Sequence, residues 1–255
     1  MNIVSKTRLF VSDALQADAV VGVTPPQAHY LRSVLRLQPG DPVTLFNGAD
    51  GEWLGYIDGL GKGWASISLT EKLRDQADSP DLWLLFSPLK RSATDLVFQK
   101  ATELGASRIL PVTSERTNTE RLKQERAVAT VVEAAEQCER LDIPEIAKPA
   151  KLTDVIDAWD ESRHLYVCAE AGIADPASEV FAKAEKSSPG AILIGPEGGF
   201  SQRELEFLND HSFITPISLG PRVLRAETAA LAGLTCWQAI CGDWRNRPPH
   251  RGTGS

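Results

Sequence analysis

The chain has 255 residues, 42% of them hydrophobic, and a formal net charge of -7 at pH 7. That size and apolar content can bury a full core, as one large domain or two modest ones. The acidic balance argues against a general nucleic-acid binder, whose affinity is mainly a cationic, salt-dependent term, so an RNA role has to rest on local patches.

Residues Met1 to Lys6 lack the long apolar core of a secretory signal, and no run approaches the roughly 18–20 apolar residues of a membrane span, so a cytoplasmic protein is expected. Cys138, Cys168, Cys236 and Cys241 have no CxxC spacing, and His29, His164, His211 and His250 do not accompany them. Reduced, packed thiols and no metal site follow.

In chain order, Arg8–Val11 and Val20–Val23 read as strands, and Thr24-Pro25 as the N-cap and first-turn proline of a helix running to about Leu37. Val43–Phe46, Glu52–Ile57 and Trp64–Leu69 alternate as strands, with Gly59-Leu60-Gly61-Lys62-Gly63 as a separating turn. This predicts a small β-barrel or sandwich module over residues 1–73. The polar stretch Glu71–Pro80 reads as the linker.

Strands and helices then alternate. Strands are predicted at Leu82–Phe86, Arg108–Val112, Leu165–Ala169, Ala191–Ile194 and Ile214–Leu219. Helices are predicted at Arg91–Leu104, Thr119–Arg140, Thr153–Trp159, Pro176–Lys186, Gln202–Asn209 and Ala226–Cys241. The pattern is α/β with a mostly parallel sheet over 74–245, and the Pro/Gly-containing tail 246–255 is expected to be disordered.

Ligands in such sheets bind at the carboxyl ends of strands, where two unusual loops fall. The apolar strand Ile192-Leu193-Ile194 runs into Gly195-Pro196-Glu197-Gly198-Gly199-Phe200, and Ser201-Gln202-Arg203-Glu204 reads as a capping box opening the next helix. The loop reads either as a tight strand-to-helix turn or as a surface where backbone approaches a ligand. The second run is Leu219-Gly220-Pro221-Arg222-Val223-Leu224-Arg225-Ala226-Glu227-Thr228-Ala229. Neither loop is GxGxxG and the chain has no GxxxxGK[ST], which weighs against a nicotinamide oxidoreductase and phosphate-loop enzymes. Glu197 between the glycines suits a neutral or cationic ligand better than a phosphate. The small residues of the last helix permit close packing, inside the monomer or across an interface. In the first module Arg8, His29, Arg32 and Arg36, with the two last at i,i+4, read either as a solvated surface or as an RNA-docking patch that Lys90, Lys100 and Arg116 extend.

The combination resembles the ribosomal RNA small subunit methyltransferase E family of the SPOUT superfamily. The likeness rests on Arg8-Leu9-Phe10-Val11, His29–Arg36, Pro88-Leu89-Lys90, Gln99–Gly105, Ser114-Glu115-Arg116, Glu133–Cys138, Gly195–Phe200 and Leu224–Ala229. It implies an N-terminal PUA-like RNA-binding β-barrel domain, a C-terminal trefoil-knotted α/β methyltransferase domain and a homodimer. The implied reaction is methyl transfer from S-adenosyl-L-methionine to N3 of a uridine in the decoding region of 16S rRNA, within the small ribosomal subunit. It implies cofactor binding by Ala169, Ile194, Gly195, Pro196, Glu197, Gly198, Leu219, Gly220, Val223, Leu224, Arg225, Thr228 and Ala229. Glu197 and Glu227 would add negative potential facing the sulfonium. Arg225 would stabilise charge on the base carbonyls, and Glu227 would accept the N3 proton, orient the site, or merely organise the loop. Other readings are a noncatalytic RNA-binding factor on the same fold and a SPOUT enzyme acting on tRNA or ribose hydroxyls.

Overall fold

A computed structural model describes residues 5, 7–118, 122–168, 174–186 and 188–246. Ala169 and all of the tail but Asn246 therefore lie outside the described residues. The chain divides into two compact units. The first runs through Asp78 and also takes in Ala135–Ile143, a stretch that the sequence reading assigns wholly to the second domain. The second comprises Ser79–Ala134 and the chain from Pro144.

In the first unit, β1 (Arg8–Phe10), β2 (Val20–Gly22), β3 (Pro42–Phe46), β4 (Glu52–Gly61) and β5 (Trp64–Arg74) form one sheet in the order β1-β3-β4-β5-β2. The β1–β3 pair is parallel and the others antiparallel. Alternation in β3 and β5 sends Val43, Leu45, Ala65, Ile67 and Leu69 into the core. Two expectations change here. Glu71–Arg74 continues β5 and is not linker, because Arg74 reaches back across the sheet to Glu52 and to the Glu139 carbonyl. Gly59 and Gly61 lie in β4 and are not turn residues: the Trp64 indole lies over both, so closely that a Cβ on Gly61 would sit 2.1 Å from its Nε1.

The predicted helix 25–37 is also shorter. α1 (Pro25–His29) opens with Thr24 donating its backbone N–H to Gln27 Oε1 (3.0 Å), then widens into a π-helical turn, Tyr30–Val34. Arg36 follows with φ +55. Widening and then reversing the chain keeps Ala28, Leu31 and Leu37 all in the core, which a straight α-helix does not allow for both Leu31 and Leu37.

The second unit contains β6 (Leu82–Phe86), α2 (Arg91–Glu103), β7 (Arg108–Thr113), α3 (Gln124–Cys138, whose last turn lies in the first unit), β8 (Glu145–Ile146), β9 (Ala150–Lys151) and α4 (Leu152–Asp157). It continues with β10 (His164–Cys168), β11 (Asp175–Pro176), α5 (Ala177–Lys183), β12 (Gly190–Ile194), α6 (Gln202–Asn209), β13 (Ile214–Ser218) and α7 (Ala226–Ile240). All strand pairs are parallel, in the order β11-β13-β10-β12-β6-β7-β8, with β9 also pairing with β7. Every residue of β12 is buried, as expected of a strand covered on both faces. Leu85, Ala191 and Leu193 join Leu152, Ile156, Leu208 and Phe213 on one face. On the other, α7 packs on β12 and β6, and α2 on α7. Gly233 lets α7 approach closely: a Cβ there would be 3.3 Å from Ile192 Cγ2. The small residues of α7 thus serve packing within the monomer at least at this point.

Candidate active site

β12 and β13 flank β10, so the loops leaving their carboxyl ends open on either side of Cys168. Between them lies a cleft of about 770 Å³, within the size range of small-molecule sites. Its walls are the stretch Ile194–Phe200, the stretch Ile217–Ala226, and Ala229 from the first turns of α7, with Cys168, Leu205 and Arg116 completing it.

Local sequence explains both walls. Gly199 has φ +65 and donates its N–H to the Pro196 carbonyl (2.9 Å), making a tight turn that needs glycine. Gly195 serves closeness instead, since a Cβ there would lie 3.0 Å from the Phe200 ring. Gly220 has φ +106, which lets the second loop reverse before Arg225 caps α7. The expected capping box is present: Ser201 Oγ accepts from Glu204 N (3.2 Å), and Ser201 N donates to Glu204 Oε2 (2.8 Å).

Glu204 does more than cap. It is buried, and its Oε1 accepts the Glu115 N–H (2.8 Å), tying the loop after β7 to the start of α6. Within that loop Ser114 N donates to Thr117 Oγ1 (2.8 Å). Arg116 then extends Nη1 to the carbonyls of Gly198 (2.9 Å) and Phe200 (3.4 Å). Two loops are therefore linked along one wall of the cleft, the one after β7 and the glycine loop that opens α6.

Of the expected cofactor residues, Ile194, Gly195, Pro196, Glu197, Gly198, Leu219, Gly220, Val223, Leu224, Arg225 and Ala229 line the cleft, while Thr228 does not; nor does Glu227, expected in a catalytic role. Glu227 lies in the first turn of α7, where its charge favours the helix start. Of the two carboxylates expected to add negative potential, Glu197 lines the cleft. Arg116, Arg222 and Arg225 face the cleft with Glu197 as the one carboxylate among the described lining residues. Val223 is 81% exposed, an apolar side chain held at the mouth. The cofactor set expected from sequence leaves out Cys168, Gly199, Phe200, Leu205, Ile217, Ser218, Pro221, Arg222 and Ala226; the signal available for Cys168 and Ile217 was their place at strand carboxyl ends. Burial pushes the Cys168 thiol up to about 12, so it lines the cleft as a neutral group.

The expected RNA set divides. His29, Arg32, Arg36 and Lys90 are exposed. Because Arg36 follows the π turn in a left-handed conformation, it does not share a helix face with Arg32. Lys100 is paired with Glu103 at 2.8 Å. Arg8 is an interior residue and no surface contact: Nε meets Glu52 Oε1 (2.5 Å), Nη1 the Ala135 carbonyl (2.9 Å) and Nη2 the Arg140 carbonyl (2.7 Å), with the guanidinium 3.6 Å from the Phe46 ring centroid. Arg116 joins the cleft.

Among the described residues no cluster of His, Cys, Asp and Glu is arranged to hold a metal ion, and no helix is long and apolar enough to cross a membrane.

Two family models match the chain, an RNA methyltransferase domain over residues 77–238 and an RNA methyltransferase PUA domain over 23–69. The chain is 32% identical to a ribosomal RNA small subunit methyltransferase E from Rickettsia conorii, over 89% of this chain and 93% of the relative. A relative of the same name from Synechocystis sp. is also 32% identical, over 91% of this chain and 77% of that one. Among solved structures, a putative methyltransferase from Legionella pneumophila in complex with SAM superposes with a TM-score of 0.84, at 30% identity, covering 94% of this chain and 100% of the other. A ribosomal RNA small subunit methyltransferase E from Neisseria gonorrhoeae bound to S-adenosyl methionine gives 0.83, at 26% identity, with 93% and 99% covered. With both units matched and the likeness running through nearly the whole chain, this protein belongs to the ribosomal RNA small subunit methyltransferase E family.

Proposed function

We propose that the chain uses S-adenosylmethionine to methylate N3 of a uridine in the decoding region of 16S rRNA, acting in the cytoplasm, as a homodimer with the knotted chain path of its family, on the small ribosomal subunit. The observation that carries the cofactor assignment is the cleft between the β12 and β13 loops, in a chain that resembles SAM-bound structures over more than nine-tenths of its length.

The residues present fit such a group. Adenine calls for backbone donors and acceptors plus apolar walls. The glycine loop and Leu219-Gly220 offer the first, and Ile194, Phe200, Ile217, Val223 and Leu224 the second. Glu197 offers a carboxylate for the cationic part, and Arg222 and Arg225 suit the cofactor's carboxylate or the substrate's phosphates. Bound there, S-adenosylmethionine supplies an electrophilic methyl group on a sulfonium centre.

Uracil N3 carries a proton that must pass to solvent before or as the new N–C bond forms, and until that bond is made negative charge spreads onto the flanking carbonyls. Arg225, exposed at the cleft and with no recorded ion pair among the described residues, is our candidate to stabilise that charge. Glu227, off the cleft lining, is assigned the helix start and not proton removal. His29, Arg32, Arg36 and Lys90 are proposed to position the rRNA through its phosphates. Nucleoside mass spectrometry of 16S rRNA from cells with and without the gene tests the reading. Loss of 3-methyluridine alone supports it, and unchanged 3-methyluridine refutes it.

A further inference from the structure

We infer that Arg116 is the positioning residue that sets the cleft's affinity for its cofactor, by holding the glycine loop in its binding shape from a loop 82 residues away. This rests on the cofactor assignment above. Sequence alone groups Arg116 with cations that contact RNA. Its geometry gives it a different task.

Nη1 bridges the carbonyls of Gly198 and Phe200, on either side of Gly199, the residue whose left-handed backbone makes the turn. The stem takes part too. A Cβ built on Gly198 would lie 3.5 Å from Arg116 Cβ and 3.6 Å from Cδ, so the side chain runs along the loop at contact distance. The clamp is anchored at its base by the Glu115–Glu204 and Ser114–Thr117 hydrogen bonds. A guanidinium is suited to this because Nη1 carries two N–H groups held in fixed directions by the planar group, one for each carbonyl.

A loop already held in shape does not spend binding energy on being ordered when the cofactor arrives. That gain is the same in the bound ground state and in the transition state, so losing it raises Kd and KM and spares kcat. An arginine contacting rRNA would instead act on subunit affinity.

Calorimetric titration with S-adenosylmethionine and steady-state methylation of 30S subunits separate these cases. Wild-type protein that neither binds S-adenosylmethionine nor methylates the subunits would sink the functional reading itself, before any variant is compared. Given a working wild type, Arg116→Ala should raise the cofactor Kd about tenfold, equivalent to about 1.4 kcal/mol, with kcat at saturating cofactor within about twofold. Arg116→Lys, which keeps the charge and the donors but on a flexible ammonium with no planar group to fix their direction, should fall between. The ratio of variant to wild-type Kd should change little as salt rises, since the lost contacts join the guanidinium to neutral carbonyls and not to an opposite charge. An unchanged cofactor Kd in Arg116→Ala overturns the inference. So does a loss confined to subunit binding.

Discussion

Replacing Glu204 with glutamine tests the tie between the loops directly. The carboxylate uses both oxygens on backbone N–H groups, Oε1 on Glu115 and Oε2 on Ser201, each at 2.8 Å, and the residue is 7% exposed. Glutamine keeps one oxygen and turns an NH₂ toward the other N–H, donor against donor. One backbone N–H is left unpaired, at about 1–3 kcal/mol, and the surviving bond loses the charge that makes such contacts roughly twice as strong. A total near 2 kcal/mol should lower the melting temperature by roughly 4–8 °C in a protein of this size. Differential scanning calorimetry reads that shift, and calorimetric titration should show weaker cofactor binding because the base of the Arg116 clamp has moved. Glu206→Gln, an exposed change on the same helix, should stay within about 0.5 kcal/mol of wild type. If Glu204→Gln melts within about 1 °C of wild type, the argument that this carboxylate joins the loops is wrong.

The two glycine roles predict different failures. Gly220→Ala meets no atom within 4 Å but must adopt φ +106, so it should lose about 1–3 kcal/mol to backbone strain in urea unfolding. Gly195→Ala drives a methyl against the Phe200 ring at 3.0–3.3 Å and should weaken cofactor binding through the displaced cleft wall; an unaltered Kd would contradict it. Arg8→Met should destabilise the first unit by about 1–3 kcal/mol, since it leaves the buried Glu52 carboxylate to Arg74 alone and takes a donor from the Ala135 and Arg140 carbonyls, yet leave subunit binding by the folded protein intact, whereas Arg32→Ala should do the reverse in filter-binding assays. Burial alone would raise the Glu52 carboxyl, but hydrogen bonds from Arg74 and Arg8 outweigh it and hold it below the usual carboxylate range. Because the folded value is the lower one, this stabilisation is complete above the unfolded value and is lost as pH falls through the folded one. Melting temperatures should drop below about pH 4, and Glu52→Gln should flatten that slope.

Much of the fold is legible along the chain because its cues are local. The apolar run Ala191–Ile194, the capping box at Ser201 and the alternation in Val43–Phe46 each act within a few residues, and each falls within the element the sequence predicts. Two-residue strands such as β8, β9 and β11 carry no period to detect. The π turn and the reversal at Arg36 answer to where Leu37 must be buried, which a local propensity does not encode.

The same division holds at the site. Sequence by itself determined that two glycine-bearing loops leave the carboxyl ends of parallel strands, because glycine spacing and strand patterning are properties of consecutive residues. Tertiary structure decided which charges serve which purpose. Arg8 and Arg116 look alike in a sequence, as cations beside a motif, but one is spent on Glu52 and two carbonyls in the interior and the other on the glycine loop. Glu227 is three residues from Leu224 and still misses the cleft, while Cys168, over fifty residues away, helps line it. A charged side chain takes its role from the partners it meets, and for these residues the partners come from distant strands and loops that only the folded sheet brings together.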